Sequence, residues 1–140
     1  MLVVDTNVIS EIMQLQPSPR VLEWWAQQPP AELFTSAVTV AEILCGIELL
    51  PKGKRRERLL AEAEAMFAQD FAERILSFDE SAAREFAEIA AGRRALGRPI
   101  AEFDAQIAAI ASAHRATLAT RNLADFDGCG VRLVNPWRDA

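Results

Sequence analysis

The 140-residue sequence predicts an α/β domain with a mostly parallel sheet of short strands. Two observations carry this reading. Short β-like apolar runs alternate with longer stretches of helical period, the order that generates strand–helix–strand units. The short runs are also nearly continuous in apolar character, as strands buried on both faces must be. A chain of this length with 51% hydrophobic residues has the size of one domain, so residues 1–140 are read as a single domain around one substantial core.

The elements follow in order. Leu2-Val3-Val4 is a buried-strand signal that stops at polar Asp5-Thr6-Asn7. Residues 8–14 suit a short helix, which Pro17 and Pro19 interrupt; Pro19 can open the next helix, carrying Trp24 and Trp25, because proline fits the first helical turn. Leu33-Phe34-Thr35 is a second strand, and Ser36 can cap a helix running to about residue 50. Pro51 and Gly53 break the chain before a charged amphipathic helix over 54–68. A third strand is expected at 74–77 and an Ala-rich helix from Glu80 to about Leu96, ending near Gly97. A helix over 102–114 and strands at 117–120 and 131–134 complete the pattern. Ligands of such sheets bind beyond the carboxyl ends of the strands. That directs attention to Asp5, Thr35-Ser36 and Thr120-Arg121-Asn122.

Composition excludes several chemistries. The only histidine is His114, and Cys45 and Cys129 are far apart, so a Cys/His zinc site lacks ligands. No apolar stretch reaches the length of a membrane helix, and Asp5 comes too early for a signal peptide, so a cytoplasmic protein is expected. The net charge of −5 opposes nucleic-acid binding taken alone. A carboxylate pocket that holds divalent cations would invert that local charge.

Four acids are candidates for such a pocket. Asp5 leaves the first strand, where helix capping is the competing role. Glu42 is embedded in the apolar run Ala37-Val-Thr-Val-Ala-Glu-Ile43. Either it lies on an exposed helix face, or it is a carboxylate that needs a partner. Asp104 stands near a helix start, where the dipole alone favours acids and Glu102 competes with it. Asp125 follows the fourth apolar run, with Asp127 nearby, and a turn role is open for both. A parallel sheet would bring all four to one edge. Their mutual repulsion is relieved by a divalent cation, and Mg²⁺ suits an open, all-oxygen pocket.

Four stretches, in this order, resemble the PIN-domain family, and within it toxins of the VapC and FitB type. They are Val3-Val-Asp-Thr-Asn-Val-Ile-Ser10, Val38-Thr-Val-Ala-Glu-Ile43, Ile100-Ala-Glu-Phe-Asp-Ala-Gln-Ile-Ala-Ala109 and Leu118-Ala-Thr-Arg-Asn-Leu-Ala-Asp-Phe126. The ending Val134-Asn-Pro-Trp137 is similar to the FitB-like branch. The resemblance implies a three-layer α/β/α domain. Asp5, Glu42 and Asp104 match the three core acidic positions, and Asp125 matches the more variable fourth. Thr6, Asn7, Thr120 and Asn122 match positions that orient carboxylates or water. Glu102-Phe103 stands where related sequences often carry small residues.

The implied activity is Mg²⁺-dependent hydrolysis of RNA phosphodiester bonds, with Mn²⁺ as a possible substitute. Asp5 and Asp104 are then the direct metal ligands, and Glu42 and Asp125 complete the catalytic set. Implied partners are the RNA substrate, a small antitoxin protein and a second copy of the chain. The apolar faces of the amphipathic helices flanking residues 51–53 either offer a groove for an antitoxin helix or belong to the ordinary core. The basic run Lys52, Lys54, Arg55, Arg56 and Arg58 is either a solvated helix start or a set of phosphate contacts, and Arg93, Arg94 and Arg98 form a weaker candidate set. Two other classes compete. A phosphoacceptor receiver-like domain also has an acidic Mg²⁺ pocket, but it needs a lysine after a late strand, and the only lysines are Lys52 and Lys54. A catalytically inactive PIN-like interaction module would have no use for four carboxylates.

Overall fold

The computed structural model describes residues 1–139. Five strands form one parallel sheet in the order β3-β2-β1-β4-β5. They are β1 (Leu2–Val4), β2 (Leu33–Ser36), β3 (Ile75–Leu76), β4 (Thr117–Ala119) and β5 (Leu133–Val134). The helices are α1 (Thr6–Ile12), α2 (Pro19–Gln27), α3 (Ala37–Glu48), α4 (Lys54–Ala65), α5 (Glu80–Ala95), α6 (Glu102–Ala113) and α7 (Leu123–Phe126). Among the described residues no helix is long and apolar enough to cross a membrane.

Local chemistry explains the boundaries. Asp5 caps α1 by accepting from the Thr6 N–H at 2.8 Å, Ser18 caps α2 ahead of Pro19, and Ser36 caps α3 through the Thr39 N–H. Gly97, at φ +71°, ends α5 in the left-handed region that glycine tolerates. The expected helix over 54–68 divides: α4 ends at Ala65, and a π-helical turn covers Met66–Asp70. The stretch around Asp125, where the sequence suggests a turn, forms the short helix α7.

Side chains alternate across the sheet as strand geometry requires. Val3 and Leu118 point into a core with Ile89, Ile107 and Ile110 of α5 and α6. Val4 and Ala119 point the other way, onto Val8, Val21, Trp24, Ile43 and Phe67. Helices thus cover both faces, giving the three-layer arrangement. Of the adjacent tryptophans, Trp24 is buried, while Trp25 packs partly exposed, edge-on to Phe71.

The strand order places the site. From β1 the chain first builds leftward to β2 and β3, then crosses back to β4 on the other side of β1. The reversal leaves a crevice beyond the carboxyl ends of β1 and β4, where open α/β sheets bind ligands. A receiver-type sheet has the order 2-1-3-4-5, so this topology removes that alternative.

Candidate active site

Asp5 extends β1 by one residue, its N–H bonding the Ala119 carbonyl of β4 at 2.9 Å. It is only 4% exposed, and both oxygens of its carboxylate accept hydrogen bonds. Oδ1 accepts from the Thr6 N–H, while Oδ2 accepts from Thr120 Oγ1 at 2.8 Å and Asn7 Nδ2 at 3.2 Å. Thr120 in turn accepts from the Asn122 N–H at 3.1 Å and lies 3.3 Å from Asn7 Nδ2. Capping and site geometry therefore coexist in Asp5. Burial pushes its carboxyl from the ordinary 3.8 up to about 6, with Asp104 and Glu42 adding repulsion and the bonds from Thr120 and Thr6 opposing the shift.

Glu42 is partly buried on α3 and turned toward α1, where Thr6 Oγ1 donates to Oε1 at 2.7 Å. Thr39 Oγ1, 3.1 Å from Thr6 Oγ1, backs that hydroxyl. Asp104 sits in the first turn of α6 without capping it; Ala101 occupies the cap position and makes no side-chain bond. Burial raises the Asp104 carboxyl above its usual range, with Asp125 and Glu42 adding repulsion and Arg93 working against it. Asp5, Glu42, Asp104, Thr6, Asn7 and Asn122 line one open cavity of about 390 Å³.

Asp125 stands apart. It is exposed on α7 and does not line this cavity, although its charge acts on Asp104. Asp127 is committed elsewhere, to an ion pair with Arg98 at 3.1 Å. The two arginine sets also resolve. Arg93 is a buried structural cation: it donates to the carbonyls of Arg98 and Asp125, each at 2.7 Å, and is not free to grip phosphate. In the other run, Arg56 pairs with Glu48 and Arg58 with Glu62. Arg55 and Arg58 line an adjoining groove between α1, α3 and α4 rather than the acidic cavity itself.

The cavity wall includes Arg121, at the strand exit the sequence pointed to, and residues the sequence did not place in the site: Ser10, Glu11, Gln14 and Trp137. Of the last four, the first three carry a readable signal. With Asn7 they fall at i, i+3, i+4 and i+7, one face of a helix. Trp137 carried no such signal, because it arrives from the far end of the chain.

Among the described residues no three Asp, Glu, His or Cys side chains are drawn together closely enough to chelate an ion unaided. The donor set still fits a hard divalent cation: carboxylates and hydroxyls surround an open space with room for retained water, as Mg²⁺ requires. Asp5, buried at a cost to its charged form, is the group most relieved by a cation.

A short-stranded 3-2-1-4-5 parallel sheet with a carboxylate-lined cavity at its switch point defines an α/β domain with an acidic ligand site. The PIN-domain family model matches residues 2–127, and the chain belongs to that family. It is 39% identical over 140 residues to the VapC ribonuclease Y4jK of Sinorhizobium fredii, covering all of both chains. It is 40% identical over 139 residues to toxin FitB of Neisseria gonorrhoeae, covering 99% of this chain and 100% of the relative. The crystal structure of FitAcB from the same organism superposes with a TM-score of 0.93 at 40% identity, covering 99% of each chain.

Proposed function

We propose that this protein is a divalent-metal-dependent endoribonuclease and the toxic component of a type II toxin–antitoxin system, with residues 1–140 acting as one PIN domain. The observation that carries the reading is Asp5: a buried carboxylate, oriented by three hydrogen bonds, facing a cavity shared with Glu42 and Asp104. A chain that had lost catalysis would gain stability by replacing this acid, which argues against an inactive interaction module. Ribonuclease and toxin are the names of its full-length relatives.

Asp5 and Asp104 are the residues that would hold the cation, Mg²⁺ or Mn²⁺. Bound there, it would lower the pKa of water and offset charge on the phosphate undergoing attack. The protein's own contribution is orientation. Thr120 and Asn7 lock the Asp5 carboxylate, leaving it little freedom to rotate. Thr6 holds one oxygen of Glu42, leaving the other to bind water or accept a proton from it. Asn122 lines the cavity and its side-chain amide makes no hydrogen bond among the described residues, so it is suited to orient water or substrate. Asp125 tunes Asp104 by charge from outside the cavity.

The antitoxin site is the groove of about 710 Å³ lined by Met13, Leu15, Ile47, Leu50, Leu59 and the cations Arg55 and Arg58. Its form suits an amphipathic helix with an acidic edge. Thr6, Ser10, Gln14 and Glu42 line both groove and cavity, so a segment lying in the groove would reach the catalytic acids. The protein acts as a homodimer bound to its antitoxin and in the cytoplasm.

The test is cleavage of single-stranded RNA by purified protein with Mg²⁺, with Mn²⁺ and with chelator, beside Asp5→Asn. Cleavage that needs metal and is lost in a folded Asp5→Asn variant is expected, together with relief of growth arrest. Equal cleavage by the variant would remove Asp5 from the site.

A further inference from the structure

The acidic cavity poses a problem for the substrate just proposed. Four carboxylates, Asp5, Glu11, Glu42 and Asp104, line it, on a protein of net charge −5. An RNA backbone approaching them is repelled before any bond can be broken. A metal offsets charge at its own position, but the phosphates on either side remain exposed to the acids.

Among the described residues one cation faces this cavity: Arg121. It lies between β4 and α7, is exposed, and among the described residues enters no ion pair and donates no side-chain hydrogen bond. Its guanidinium is nonetheless not loose. The carbon Cζ lies 5.1 Å from the centroid of the Trp137 ring, a cation–π contact. Trp137 itself packs against the core beside Val134 and is fixed by an Asx turn, its N–H bonding Asn135 Oδ1 at 2.9 Å. The backbone is fixed as well. The Arg121 N–H donates to Asn7 Oδ1 at 3.2 Å, and the amide nitrogen of the same Asn7 holds Asp5. The guanidinium thus sits in set register to the buried acid, with all its N–H groups available.

We infer that Arg121, held against Trp137, binds a phosphate of the RNA substrate adjacent to the bond that is cut. This rests on the ribonuclease reading. A guanidinium presents paired N–H donors that match phosphate oxygens, and stacking on an indole reduces the rotamer freedom lost on binding. Among the described residues the side chain donates no hydrogen bond, so its loss would break only the contact with Trp137.

The experiment uses the full chain and a fluorescently labelled single-stranded RNA. Wild type, Arg121→Gln, Arg121→Lys and Trp137→Leu are compared for cleavage with Mg²⁺ and for binding in chelator over a range of salt. Arg121→Gln should raise KM about tenfold with kcat little changed, as expected for one lost charge-assisted contact. Its dependence of log affinity on log salt should flatten by about 0.7, one phosphate contact on a single strand. Arg121→Lys should keep the salt slope while losing part of the affinity, and Trp137→Leu should weaken binding less than Arg121→Gln. An RNA with one neutral methylphosphonate flanking the observed cut should cost the wild type the same factor and leave Arg121→Gln unaffected. Unchanged KM and salt slope in Arg121→Gln would overturn the inference while leaving the nuclease intact. So would loss of antitoxin binding with normal RNA binding, which would make Arg121 a partner contact. If wild type leaves RNA whole, the ribonuclease reading falls and this inference with it.

Discussion

Raising the pH from about 4 to about 6 should destabilise the metal-free protein through Asp5. Its folded carboxyl titrates near 6, against 3.8 in the ordinary unfolded state, because burial disfavours the charge. Well below 3.8 both states are protonated and the group contributes nothing. Above about 6 both are ionised, and the folded state bears the difference, about 3 kcal/mol at about 1.4 kcal/mol per pKa unit. The penalty therefore appears as pH rises through that window. Between about pH 4.5 and pH 7 it amounts to about 2 kcal/mol. Asp5→Asn keeps an oxygen for the Thr6 N–H but cannot titrate. Its amide nitrogen also meets the amide of Asn7, at a cost of about 1 kcal/mol that does not vary with pH. The informative quantity is hence the change in the stability difference, not the difference itself. Urea unfolding of both proteins, in chelator at constant ionic strength, measures it at each pH. Relative to the variant, wild type should gain about 2 kcal/mol on going from about pH 7 to pH 4.5. Parallel pH dependences in the two proteins would refute the reasoning, since they would mean that Asp5 carries no burial penalty.

Asp104→Asn should leave the metal-free melting temperature unchanged or raised, because it removes repulsion from Glu42 and Asp125 without removing a cap. Its gain on adding Mg²⁺ should be smaller than that of wild type; an equal gain in paired thermal melts would count against Asp104 as a ligand. Arg93→Met should lower stability by about 2 kcal/mol in chemical denaturation, because it removes two part-buried bonds from the guanidinium to the carbonyls of Arg98 and Asp125. It should also raise the proteolytic susceptibility of residues 123–130, which the guanidinium ties to α5. Leu15→Glu, at a groove position that is 82% exposed, should weaken antitoxin capture about tenfold by calorimetry with RNA cleavage preserved. Loss of cleavage instead would place the groove in catalysis.

The sequence by itself determined the elements and much of their chemistry. Pro19, Ser36 and Gly97 mark boundaries by local physics, since a fixed φ, a capping hydroxyl or a left-handed residue acts within one turn. The alternation of strand and helix required a parallel sheet, and polar residues just past apolar runs located its functional edge. Tertiary structure decided which of those residues meet. Thr120 reaches Asp5 only because β4 pairs with β1, and nothing within either segment encodes that neighbour. The order of strands also carried Trp137 to Arg121, separated Asp125 from the cavity wall, and assigned Asp127 to Arg98. Arg93 looked like a surface cation because its partners are backbone carbonyls, which every residue possesses and no sequence pattern distinguishes. Burial settled the rest. A carboxylate's charge is a property of its surroundings, so Asp5 became the most perturbed acid only once helices covered both faces of the sheet.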